Sequence, residues 1–497
     1  MKFAFFPRLF WALIFLPPLG AVFWVLGHSF FLKWGWDLFF LKAFLNTFYL
    51  SLITAFVCFI ISFPLALLLT KTPFPWKRAA VLLLTTPLLF LPYQTALAWS
   101  FILPPALLSL LFSFWGVVFI FSLSFFPLIF WPLYLAFLAV PAEAEESALL
   151  LYPPLKVFQK ITLPYVKPYL LGGIGLCIFF SFAEISAPTY LGVPVIGSEI
   201  LTRFAAFYDI DGALRASFPL AILGLIFFIL EKPLLSRWEI PISFEEEKGL
   251  CFGNKWFVLL GSIWLLIVLL GAVFLPLFLL LEKAQAVDLG GAISKIKLPL
   301  WRSLFYGLLV SLVSVSLAFL AQPLLTLKEK RVWEGLGLFL FFLPPVILAV
   351  GLIFFWSHFS LVYTSSLLLL LGLWGRFTFL PQRLLGEVWK RFNKHALEAA
   401  YLSGRPFYLI LLKIIFPSFR PWLGLAMILF FIFSVNEITL SSLLYPPGGA
   451  PLAVAIYTLS VNTPLSFSAF LCLLNTTMIL VVISVFFFIF RPKPWKK

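Results

Sequence analysis

Long uninterrupted apolar runs, bounded by charged or Pro/Gly clusters, recur along the whole chain, and a run of roughly 20 such residues is what one bilayer-crossing helix requires. They fall at about 9–32, 43–70, 79–103, 113–140, 168–192, 214–230, 256–281, 301–327, 332–356, 361–380, 421–445 and 466–490. The runs are continuous rather than alternating, which selects helices over the strands of an outer-membrane barrel. Only 11% of the 497 residues are charged, against roughly 25% in soluble domains, and mean hydropathy is +1.09. A soluble enzyme is thereby excluded. The expected fold is an all-α membrane protein with about twelve transmembrane helices.

One polar interlude, 231–255, separates two six-span halves: a first domain over 1–230 with its core at 43–230, and a second over 256–497 with its core at 301–490. Most of the 35 Lys and Arg fall in segments that share one side, including Lys71, Lys77, Arg78, Lys156, Lys160, Lys328, Lys330, Arg383, Lys390 and Lys413. Retention of basic loops in the cytoplasm makes that side the inside, with both termini there. The net charge of +15 is accounted for by this bias, so no nucleic-acid partner is implied; the partner read directly is the lipid bilayer. Lys2 and Arg8 precede an apolar run with no small-x-small cleavage site, which reads as an uncleaved first span. Cys58, Cys177, Cys251 and Cys472 are scattered without disulfide or metal spacing.

The halves repeat. Leu91–Pro92 matches Leu343–Pro344, the stretch Glu145 to Pro164 matches Glu398 to Pro417, and FAEISAP around Glu184 matches VNEITLS around Glu437. The offsets between these pairs are near-constant, at 252 or 253 residues. Six spans per repeat return the chain to the same face, so the copies have the same orientation. Repeats on this scale accompany a transport path between halves.

The duplicated loop lies on the expected inner side, between the fourth and fifth span of each half. Its second copy carries Glu398, Ala399, Ala400, Gly404, Ile414 and Pro417. Glycine in the middle permits a positive φ and a sharp turn between two helices, and the closing proline is expected to stop the second helix before the span. Small Ala399 and Ala400 leave room for another helix, and Glu398 offers polar anchoring. The first copy keeps Glu145, Ile161 and Pro164 but has Glu146-Ser147 for Ala-Ala and Leu151 for the glycine, with Pro153-Pro154 placed to supply the break.

This pattern, E-A-A-x-x-x-G-x(9)-I-x-L-P with Phe416 in place of Leu, resembles the permease subunits of type I ABC importers. The stretch Asn436 to Leu459 is similar to the sequence after the coupling loop in fused, two-domain permeases for ferric iron, which group with thiamine, polyamine and phosphonate permeases. The resemblance implies that both loops dock on separate nucleotide-binding subunits. It also implies two ABC ATPase subunits and an extracytoplasmic substrate-binding protein as partners, and the inner membrane of a prokaryote as location.

The chain has no G-x-x-x-x-G-K-[ST] loop, so ATP is expected on the partners, with no cofactor, metal or catalytic residue in this chain. A carboxylate inside a span costs roughly 2.5–3.5 kcal/mol on insertion scales. Glu184 and Glu437 are therefore candidates for lining a cation path, with helix packing as the competing role. Arg376 has Leu123 as its repeat mate and either pairs with an acid or marks the membrane edge. An ion-gradient-driven twelve-span transporter is the alternative, and a membrane-embedded transferase lacks the constellation it would need.

Overall fold

The computed structural model describes residues 38–235, 255–287, 289–392, 394–402, 404, 406–459 and 463–490, together with 8–9, 11–12, 14–20, 23, 27 and 251. Half of the expected first span, 9–32, and most of the interlude 231–255 lie outside the described residues. Every regular element among those described is helical. Among the described residues eight helices are long and apolar enough to cross a bilayer, and ten if each of two bent pairs counts as one span.

Both bends have the same cause. Lys77–Leu89 and Pro92–Ile102 meet at 97°, and Leu327–Phe342 and Pro345–Trp356 at 107°. Leu91 (ψ 138°), Leu343 (ψ 138°) and Pro344 (ψ 135°) are extended, because a residue before proline is pushed out of the helical region. The second helix of each pair then starts on a proline at its first position, where the missing N–H is harmless.

Element by element the repeat holds at an offset of 253. Pro154–Val157 and the wide turn Phe158–Thr162 recur as Phe407–Ile410 and Leu411–Ile415. Phe114–Leu138 recurs as Leu367–Phe377 plus Phe379–Lys390, with a break at Thr378. The helix register pairs Leu91 with Pro344 and Pro92 with Pro345, so the offset of 252 read from Leu-Pro pairs becomes 253. The first helical proline, not the Leu-Pro dipeptide, sets the match.

Prolines 164 and 417 do not stop the helix, contrary to the expectation from sequence. Pro154–Ala183 and Phe407–Val435 run on as spans of 30 and 29 residues. A proline ring clashes with the carbonyl four residues back, and a π turn relieves that clash by widening the backbone. The π turns Phe158–Thr162, Leu270–Phe274 and Leu411–Ile415 each end two residues before a proline, Pro164, Pro276 and Pro417.

The chain divides into two compact units. One consists of residues 28–287 and 460–473, the other of 1–27, 288–459 and 474–497. Each thus takes its opening helix from the other half of the sequence. In the first, Trp264 Nε1 donates to the Ile61 carbonyl at 3.3 Å. In the second, Phe15 stacks on Trp333 at 6.0 Å. Close approach inside the first unit depends on Gly173, where a Cβ would stand 3.1 Å from Ile129 Cα.

Candidate functional site

The two repeated loops have different anatomies. In the first, Ala142–Leu149 leads through Pro153 (φ −64°, ψ 153°) into the helix that opens at Pro154, with no left-handed residue. Two prolines make the turn, and Leu151, exposed like Leu150, is not strained by it. In the second, Lys394–Leu402 leads to Gly404 at φ 66°, a conformation that a side chain resists, and then to Pro406 and Phe407–Ile410. A Cβ on Gly404 would meet nothing within 4 Å, so the glycine is needed for backbone conformation rather than space.

The glutamates that open the two motifs face opposite environments. Glu145 is fully buried. Lys71 Nζ donates to its Oε1 and Oε2 at 2.9 and 2.7 Å, and Thr162 Oγ1 donates to Oε1 at 2.7 Å. Glu398 has a side chain 69% exposed, with His395 Nδ1 3.5 Å away. Ala399 is exposed, whereas Ala400 is buried in a cluster with Leu385, Ile410, Ile415 and Phe419. Ala400 therefore receives neighbouring helices of its own unit. Ile161 and Ile414 are half-buried beneath the loops, and Pro164 and Pro417 are exposed on the helices that follow.

Glu184 and Glu437 do not lie within helices. Each sits in a break, between Leu163–Ala183 and Ser186–Tyr190 in one repeat and between Phe416–Val435 and Thr439–Leu444 in the other. Each carboxylate accepts from the short helix that follows. Glu184 Oε1 takes the Ser186 N–H at 2.8 Å and the Ser186 hydroxyl, and Glu437 Oε1 takes the Leu440 N–H at 3.0 Å. Broken backbone at membrane depth persists where protein or a water-filled path covers it.

By sequence Arg376 either pairs with an acid or marks the membrane edge, and the fold gives it an acid. Its Nη1 is 3.5 Å from Glu437 Oε1, and its side chain is 2% exposed. Beside it, Asn475 Nδ2 donates to Asn436 Oδ1 at 3.1 Å. The repeat mates of Arg376, Asn436 and Asn475 are Leu123, Ala183 and Ile222, so this buried polar group has no equivalent in the first repeat. Asn436 and Asn475 were missed from sequence, since lone amides in apolar runs carry no spacing signal. Beyond each break, a short helix is pinned by its first N–H. Ile196 donates to Thr47 Oγ1 at 2.9 Å and Leu452 to Ser303 Oγ at 2.6 Å.

Comparison with known proteins points to a transport-system permease. The chain is similar to the Fe(3+)-transport system permease protein FbpB 2 of Haemophilus influenzae, 23% identical over 412 residues, which cover 79% of each chain. No family model matches the chain. No solved structure matches it either. The likeness to this permease, together with eight or more apolar helices among the described residues, makes this all-α, multi-pass chain a homologue of an Fe(3+)-transport permease.

Proposed function

We propose that the chain is the transmembrane permease of a binding-protein-dependent ABC importer, forming the translocation path for ferric iron. Loops 145–164 and 398–417 face the cytoplasm and meet two separate ATPase subunits, which bind the ATP; a soluble protein outside delivers the substrate. Both termini lie inside. The observation that carries this reading is the duplication of one loop, helix–turn–helix running on into a span, at a fixed offset in two repeats. An ATPase dimer presents two equivalent docking surfaces, which two like-oriented repeats would fill. ATP-driven closure then biases an equilibrium between inward- and outward-open states, with the loops carrying the motion.

Copurification of the chain with ABC ATPase subunits, followed by uptake into proteoliposomes containing the binding protein and ferric iron, tests the reading. Uptake should require ATP and both partners. Uptake driven by a proton or sodium gradient without an ATPase would replace this reading with a secondary transporter.

A further inference from the structure

At the first loop, three segments converge on one buried carboxylate. Lys71 ends the helix Leu38–Lys71, Glu145 lies in Ala142–Leu149, and Thr162 closes the π turn that leads into the fifth-span helix. Glu145 and Thr162 are fully buried and Lys71 is 7% exposed. The Lys71 ammonium bonds both carboxylate oxygens and the Thr162 hydroxyl bonds one of them. A charge pair sealed in this way resists separation, because removing either partner leaves an uncompensated buried charge. Phe158 packs beside it on Phe63 and Phe137, at 6.5 and 6.4 Å between ring centres.

Both donors of this clamp are missing from the second loop. The repeat mates of Lys71 and Thr162 are Leu324 and Ile415, neither of which can bond a carboxylate. Glu398 correspondingly turns outward and is mostly exposed. The second loop is held instead by apolar packing of Ala400 and Ile410 and is jointed at the left-handed Gly404. The donors and the orientation of the glutamate change together, so the asymmetry is not a matter of one side chain.

We propose that Lys71 is a positioning residue that locks the first loop to its own spans, while the second loop remains jointed, so that the two loops of one chain couple unequally to their partners. The first loop moves as one body with the spans Leu38–Lys71 and Pro154–Ala183. Its glutamate is engaged inside the chain and is not offered to a partner, whereas Glu398 is. The mechanical consequence for transport rests on the reading given under Proposed function; the clamp itself does not.

The test has two arms. In the first, amide hydrogen exchange is followed on the full chain in nanodiscs without partners. Residues 142–162 should exchange at least about tenfold more slowly than 394–415, a difference of the size that local opening free energies produce. Lys71→Met should abolish the slow exchange at 142–162 alone, and Lys71→Arg should retain it. Equal exchange of the two loops in the unmodified chain, or slow exchange surviving Lys71→Met, overturns the clamp whether or not an ATPase binds. In the second arm, Lys71→Met/Glu145→Met, which leaves no buried charge, is assembled with the ATPase subunits. Uptake per ATP hydrolysed should fall severalfold at normal assembly, while Lys71→Arg keeps it. Normal uptake per ATP in the double variant would make the clamp a folding element only and overturn its positioning role. Failure of the unmodified chain to bind any ATPase would count against the proposed function, and the exchange arm would still decide the clamp.

Discussion

Arg376 and Glu437, 61 residues apart in sequence, form a buried ion pair with 3.5 Å between Nη1 and Oε1, while the same two positions one repeat earlier hold Leu123 and Glu184. The matched carboxylates are therefore not equivalent. One is tied to a guanidinium on the helix Leu367–Phe377, and the other accepts from Ser186, two residues on.

Glu→Gln changes at the two positions should separate accordingly. Glu437→Gln leaves Arg376 without its counter-charge and should lower the yield and melting temperature of the purified chain, on the order of the 3–5 kcal/mol typical of a broken buried pair. Arg376→Leu/Glu437→Leu should recover most of that loss. Glu184→Gln should leave yield unchanged and reduce uptake if the carboxylate faces a cation path. Thermal unfolding and uptake measured on the same preparations decide it, and unimpaired uptake in Glu184→Gln would remove that residue from the path.

Gly404 is required for its backbone conformation. A left-handed residue with a side chain costs roughly 1–2 kcal/mol, and asparagine bears it better than most. Gly404→Val should therefore weaken stimulation of the ATPase by substrate, with Gly404→Asn close to the unmodified chain. Leu151→Gly should be tolerated, since two prolines already turn the first loop. Stimulated ATPase rates of the reconstituted complexes provide the comparison, and an unaffected Gly404→Val would argue against a coupling role for that turn.

The orientation can be read by labelling. Leu150 and Ala286 are both exposed, and three spans, Pro154–Ala183, Asp211–Ile229 and Lys255–Ala284, lie between them. Single cysteines at these positions, in a chain lacking the native four, should react from opposite faces of the membrane, with Ala286→Cys accessible from outside. Reaction of both with an impermeant reagent outside intact cells would refute the span assignment.

Packing at Gly173 should be intolerant of bulk. A Cβ there would stand 3.1 Å from Ile129 Cα and 3.2 Å from the Leu128 carbonyl, both backbone atoms that cannot yield as a side-chain tip does. Gly173→Leu should destabilise the first unit by about 1–3 kcal/mol, as overpacking does. Gly175→Leu, with nothing within 4 Å of its Cβ, serves as the control; equal melting temperatures for the two variants would contradict this packing.

The sequence alone determined the solvent, the element type and the repeat, because each rests on local pattern. Apolar runs of span length leave the backbone only helices, Leu-Pro dipeptides mark the two bends to within one residue of register, and the duplicated Glu-to-Pro stretch gives the offset of 253. Gly404 was legible too, since a turn between helices calls for a residue that accepts positive φ. Tertiary structure decided what depends on partners far along the chain. It sent Glu145 inward to Lys71, 74 residues away, and left its repeat mate Glu398 exposed. It paired Arg376 with Glu437 and buried Ala400 in its own unit. It also carried both helices through Pro164 and Pro417, where sequence predicts a stop, because a π turn can absorb the proline clash when the flanking helix is held by packing. A carboxylate in a motif does not itself specify whether it will face a lysine or solvent. That choice belongs to whichever side chains the fold brings within hydrogen-bond reach, and Leu324 and Ile415 against Lys71 and Thr162 make it differently in the two repeats.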